Sequence, residues 1–127
     1  MEGSSQPGIR KIDETPADNR RGGDVRTLLS PKTIGSTSGF MGVATIPPGQ
    51  GISEHYHPYS EEFIFLVRGT LVARLDGVEK EILARSGMMV PIDVRHKLIN
   101  RSDEDAFIVF QLSPLAPRPD MGHVDTE

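Results

Sequence analysis

Two histidines separated by one residue, His55 and His57, stand just ahead of a pair of glutamates, Glu61 and Glu62, and a third histidine, His96, lies much further along the chain. Imidazole nitrogen and carboxylate oxygen are ligands for divalent first-row metals. In a β-strand residues i and i+2 point to one face, so His55 and His57 can aim two rings at a common point. Two such rings, a carboxylate and a further histidine would leave part of a coordination sphere open, as catalytic centres require and closed structural centres do not.

Strands must position these groups. Pro58 and Ser60 favour a turn after His57, and the run from Glu61 to Val67 is rich in the aromatic and β-branched residues of a strand. One of its two glutamates must share the face of the histidines, and Glu62 is the expected one. His96 opens another strand-like run that ends at Ile99. The remaining strand signals fall at 25–29, 40–46, 52–57, 70–75, 78–83, 88–90 and 106–112, with an Asp76-Gly77 hairpin turn between 70–75 and 78–83. Short strands at near-regular spacing, without a long capped helical period, predict an all-β antiparallel sandwich or barrel.

At 127 residues the chain has the length of one domain. Residues 1–24 carry Gly, Ser, Pro and charge with almost no apolar periodicity, which predicts a flexible arm or a strand lent to a neighbouring subunit. The barrel is expected over 25–112. The tail, 113–127, contains Pro114, Pro117 and Pro119, cannot continue a central strand, and is expected to wrap over the barrel.

Composition excludes other classes. The formal net charge is −4, which argues against a nucleic-acid partner. There is no cysteine, so disulfides, thiolate ligands and a thiol nucleophile are ruled out. The first residues lack the pattern of a signal peptide, and no apolar run approaches the ~20 residues of a membrane span; a cytoplasmic location is the default expectation. The strands around Phe63 and Phe107 are apolar on both faces, as expected if one face fills the barrel and the other packs on a second sheet or subunit.

The spacing Gly49-x5-His55-x-His57-x4-Glu62-x6-Gly69 resembles the first motif of the cupin superfamily without a gap. Its second motif is matched at Pro91, His96 and Asn100, with Arg85 and Asp93 where the family has glycines; Asp tolerates the left-handed conformation better than most residues. Over residues 20–127 the chain resembles the small cupins encoded beside aromatic polyketide synthases in actinomycetes, of the tetracenomycin and resistomycin type, described as cyclases or as monooxygenases. The resemblance is carried by the stretches 20–33, 55–63, 114–119 and 122–127.

That resemblance implies a single-domain cupin fold, an antiparallel double-stranded β-helix or jelly-roll barrel. It also implies one divalent metal ion per chain on His55, His57, Glu62 and His96, with zinc first and iron, nickel or copper as alternatives. Glu62 is either the fourth ligand or an unligated base. Tyr59 sits near the rim, where it could meet substrate, and Tyr56 is expected to face away. Asn100 is expected in a turn or behind the ligands, and His123, in a polar tail, to be exposed unless it joins the site. The implied activity is ring closure of a poly-β-ketone by enolisation and aldol attack. The alternatives are oxygenation of an aromatic polyketide intermediate and a non-catalytic polyketide-binding module. A homodimer and association with the polyketide synthase are the implied partners.

Overall fold

The computed structural model describes residues 7–127. Its strands are β1 (Asp24–Leu29), β2 (Phe40–Ile46), β3 (Gly51–Tyr56), β4 (Glu61–Arg68), β5 (Thr70–Leu75), β6 (Val78–Leu83), β7 (Gly87–Val90), β8 (His96–Ile99), β9 (Ala106–Ser113) and β10 (Val124–Asp125). They form two five-stranded sheets, β1-β2-β9-β4-β7 and β10-β3-β8-β5-β6, with every pairing antiparallel. The all-β, jelly-roll expectation is the observed fold.

Period-2 alternation puts Glu62, Ile64 and Leu66 inward on β4, and Ala106, Ile108, Phe110 and Leu112 inward on β9. These side chains meet Ile46, Leu71, Ala73, Val90 and Leu98 in one core between the sheets. The other face of β4 carries Phe63, Phe65 and Val67 to the surface, each more than 40% exposed. The only α-helix among the described residues is one turn, α1 (Pro31–Ile34), closed by a Ser30/Thr33 capping box and by Gly35 in the left-handed region.

Arg85 and Asp93, which stand where the resembled motif has glycines, both take left-handed backbone, with φ of 70° and 69°. Their turns are held by hydrogen bonds, from the Arg85 amide to Leu66 O (2.6 Å) and from the Asp93 amide to His57 O (3.1 Å). Asp76 and Gly77, with φ of 46° and 84°, make the primed hairpin turn that their sequence predicts. Gly69 stands at φ 90°, where a Cβ would lie 2.7 Å from Asp105 O.

Residues 7–23 touch β1 and α1. Asp18 bridges to Val25, and Arg10 Nη2 donates to Thr33 O (2.7 Å). Residues 1–6 of the expected arm lie outside the described residues. The C-terminal segment adds β10 to the edge of β3, pairing Val124 with Tyr56 and Asp125 with His55.

Candidate metal centre

The site is assembled from both sheets. His55 on β3 is the cross-strand partner of His96 at the start of β8, and a register shift separates Ile52 from His55. A bulge of this kind re-aims the side chains beyond it. His57 follows the end of β3, and Glu62 projects from β4 in the facing sheet. All four side chains are buried, and their ligand atoms lie within 4.8 Å of one another. Atoms held about 2.0–2.2 Å from one cation are at most about 4.4 Å apart, so small rotations close this set on a metal.

Hydrogen bonding fixes the rings in a ligand-ready state. Nδ1–H donates to a backbone carbonyl in each case: His55 to Ser53 O (2.7 Å), His57 to Gly122 O (2.8 Å) and His96 to Val94 O (2.9 Å). A carbonyl only accepts, so Nδ1 carries the hydrogen and Nε2 of the neutral ring is a bare lone pair. His57 Nε2 and His96 Nε2 nevertheless face Glu62 Oε1, at 3.2 and 2.9 Å. Acceptors converging on an acceptor require a cation between them, either a proton or a metal ion. The donor set therefore fits a divalent metal.

The proton affinities follow from the same geometry. Burial pushes the Glu62 carboxyl up, but hydrogen bonds from His57 and His96 outweigh it and bring the group down to about 2. Burial opposes charge on His96, yet the Glu62 carboxylate raises its affinity overall. Burial, and then the charge of His96, lower His55 to about 3. A carboxylate this buried costs several kcal/mol to desolvate unless it is paired, so Glu62 and His96 depend on each other when no metal is present.

His123 is not the exposed tail residue that a polar surrounding suggested. Its ring stacks on His55, with centroids 4.2 Å apart and planes at 11°, and it lines the cavity that leads to the ligands. Its sequence neighbourhood held no hint of this beyond the residue type. Tyr59 is 38% exposed and lies outside the lining of both cavities around the centre. Asn100 is fully buried but away from the ligands: its Nδ2 donates to Ile46 O (2.8 Å) and Glu104 O (2.7 Å), and its Oδ1 accepts from Ser102. It shapes a turn, and it lines neither cavity. Tyr56 is half-buried, opposite Val124.

The inner chamber has a volume of about 210 Å³, and apart from the ligands its wall is mostly apolar, including Ile52, Ile64, Leu98 and Ile108. Such a wall excludes water and strengthens electrostatic interactions at the ligands.

Residues 42–111 match the cupin domain model. The chain is 55% identical over 122 residues to "Polyketide synthase CurC" of Streptomyces cyaneus, covering 96% of this chain and 79% of that protein. It is 46% identical over 109 residues to "Tetracenomycin polyketide synthase protein TcmJ" of Streptomyces glaucescens, covering 86% and 73%. Among solved structures, the polyketide cyclase RemF from Streptomyces resistomycificus superposes with a TM-score of 0.75 at 14% identity, covering 96% of this chain and 87% of that one.

Proposed function

The chain belongs to the cupin family, and from that premise we propose that it is a metal-dependent cyclase of aromatic polyketide assembly, closing a ring in a poly-β-ketone. The observation that carries this reading is the convergence of three Nε2 lone pairs and one carboxylate oxygen at the inner end of an apolar chamber. The relatives named for polyketide synthases support the substrate class. His55, His57, Glu62 and His96 are the residues that would hold the metal. A divalent cation there supplies Lewis acidity toward the oxygens of an enolisable diketone.

The chain's own groups do the rest. Where Glu62 stays unligated beside three histidine ligands, its Oε1 is engaged by His57 and His96 and Oε2 is left to take the α-proton. The carbanion so formed attacks a second carbonyl carbon of the same molecule, making the new C–C bond, and that carbonyl oxygen takes up a proton. The apolar wall keeps bulk water from quenching the carbanion and holds the chain folded on itself. Glu62→Gln, expressed together with the cognate synthase, should abolish the cyclised product; an unchanged yield would favour a non-catalytic binding module.

We take zinc as the resident metal and place the protein in the cytoplasm with the synthase. Elemental analysis of protein purified without added metal or chelator should give about one equivalent of zinc, which has no redox chemistry. One equivalent of iron, copper or nickel would move the reading to an oxygenase. The active form in this reading is a homodimer formed through the apolar outer face of β4.

A further inference from the structure

We infer that the cavity between α1 and the C-terminal segment is a second binding compartment, which takes the remote arm of an extended poly-β-ketone whose diketone lies at the metal ligands. This rests on the cyclase reading and adds where the rest of the substrate goes.

Size makes the case first. Pockets that enclose an organic ligand typically measure about 300–1,000 Å³, and the inner chamber, at about 210 Å³, is below that range. The second cavity measures about 520 Å³. Thr27, Phe40, His57 and His123 line both, so the two compartments adjoin at one of the ligands, His57. His57 is the partition: its Nε2 faces Glu62, while its Nδ1–H donates to Gly122 O in the segment that walls the annex.

The walls are built as fixed parts. On one side α1 is capped at both ends and is followed by Ser36, whose Oγ donates to Gly39 O (2.7 Å). On the other, Leu115 and Ala116 belong to a segment tied down by the bond from Ser60 Oγ to Pro114 O and by the pairing of β10 with β3. With Phe40, these side chains give a largely apolar slot for a flat, conjugated polyenol. Side chains enlarged at Ser36 or Ala116 would shorten that slot without touching the ligands.

The test uses zinc-loaded protein, calorimetry and two probes: acetylacetone, which spans only the inner chamber, and 1-(2-naphthyl)butane-1,3-dione, whose ring must enter the annex. Wild type should bind the naphthyl probe about 10-fold tighter or more, because the ring buries apolar surface. Ser36→Phe and Ala116→Phe, filling the annex from opposite walls, should each abolish that advantage and leave acetylacetone affinity, zinc content and melting unchanged. A naphthyl advantage absent from wild type, or retained in both folded variants, would overturn the annex. Tight naphthyl binding sensitive to both variants, with no acetylacetone binding, would support the annex and overturn diketone chelation at the metal; binding of neither probe would overturn both.

Discussion

The imidazole of His123 lies flat on that of His55, with centroids 4.2 Å apart and planes at 11°, although His55 lies on β3 and His123 just before β10, far along the chain. The stack is held from outside. His123 Nε2–H donates to Asp125 Oδ1 (2.8 Å), and Arg21 Nε donates to the same oxygen (2.8 Å). The tail thereby covers one face of a candidate ligand.

If that cover steadies His55, His123→Ala should weaken zinc binding by about 10-fold, the low end of the range for disturbing a ligand's supporting groups. Stability should change little, since exposed ion pairs such as Arg21–Asp125 contribute only about 0.2–1 kcal/mol. Competition with a fluorescent zinc chelator measures the first, and urea unfolding the second. Unchanged zinc affinity would reduce the stack to packing.

Removing a ligand itself should cost more. His55→Ala, His57→Ala and His96→Ala are each expected to lower zinc affinity by more than about 10-fold while circular dichroism still reports the β-fold. His57→Ala should in addition speed hydrogen exchange near Gly122, because the bond from Nδ1–H is lost. Full metal occupancy in the His96 variant would remove that residue from the centre.

The metal-free protein should lose stability in mild acid. His55 is held near 3 when folded, against an ordinary value of 6.5, so the unfolded chain takes up the proton first and stability falls as pH drops below 6.5. His123 is shifted in the same direction, chiefly by burial. His96 is shifted upward, so its contribution is complete below 6.5 and is lost only as pH rises through its folded value. Glu62's contribution is present above 4.5 and lost as pH falls toward about 2. Between pH 6.5 and 4.5 the His55 and His123 effects therefore dominate this site, at no more than about 1.4 kcal/mol per pH unit for each group. Urea midpoints should decline across that window, and less steeply in His55→Gln; equal slopes would show that His55 is not held neutral.

Arg85 and Asp93 occupy left-handed backbone, which costs an L-residue roughly 1–2 kcal/mol, and Asp less than most. Glycine relieves that strain but gains freedom in the unfolded chain worth about 0.4–1 kcal/mol. Arg85→Gly and Asp93→Gly should therefore be neutral or slightly stabilising, whereas Asp93→Val should lose about 1 kcal/mol or more. Chemical denaturation decides, and a well-tolerated valine would argue against the left-handed turn before His96.

Phe63, Phe65, Val67 and Met89 are each more than 40% exposed on adjoining strands, with Phe63 paired to Met89. If this face joins two copies, light scattering should give a dimer mass for wild type and a monomer mass for Phe65→Glu. A monomeric wild type would leave the face without that role.

Short-range rules were enough for much of this protein. The period of two allowed only one of Glu61 and Glu62 to face inward, without saying which. Turn chemistry placed the Asp76-Gly77 hairpin, and the ligand types at His55, His57 and His96 pointed to a candidate metal site. None of these steps needs to know which strand lies beside which. Tertiary pairing decided the rest: the bulged register that sets His55 opposite His96, the facing sheet that brings in Glu62, and the return of β10 that lays His123 on His55. It also drew Asn100 into a turn and left Tyr59 outside the cavities. These outcomes depend on contacts between segments remote in the chain, and a strand's alternation states which face is buried but not what it is buried against.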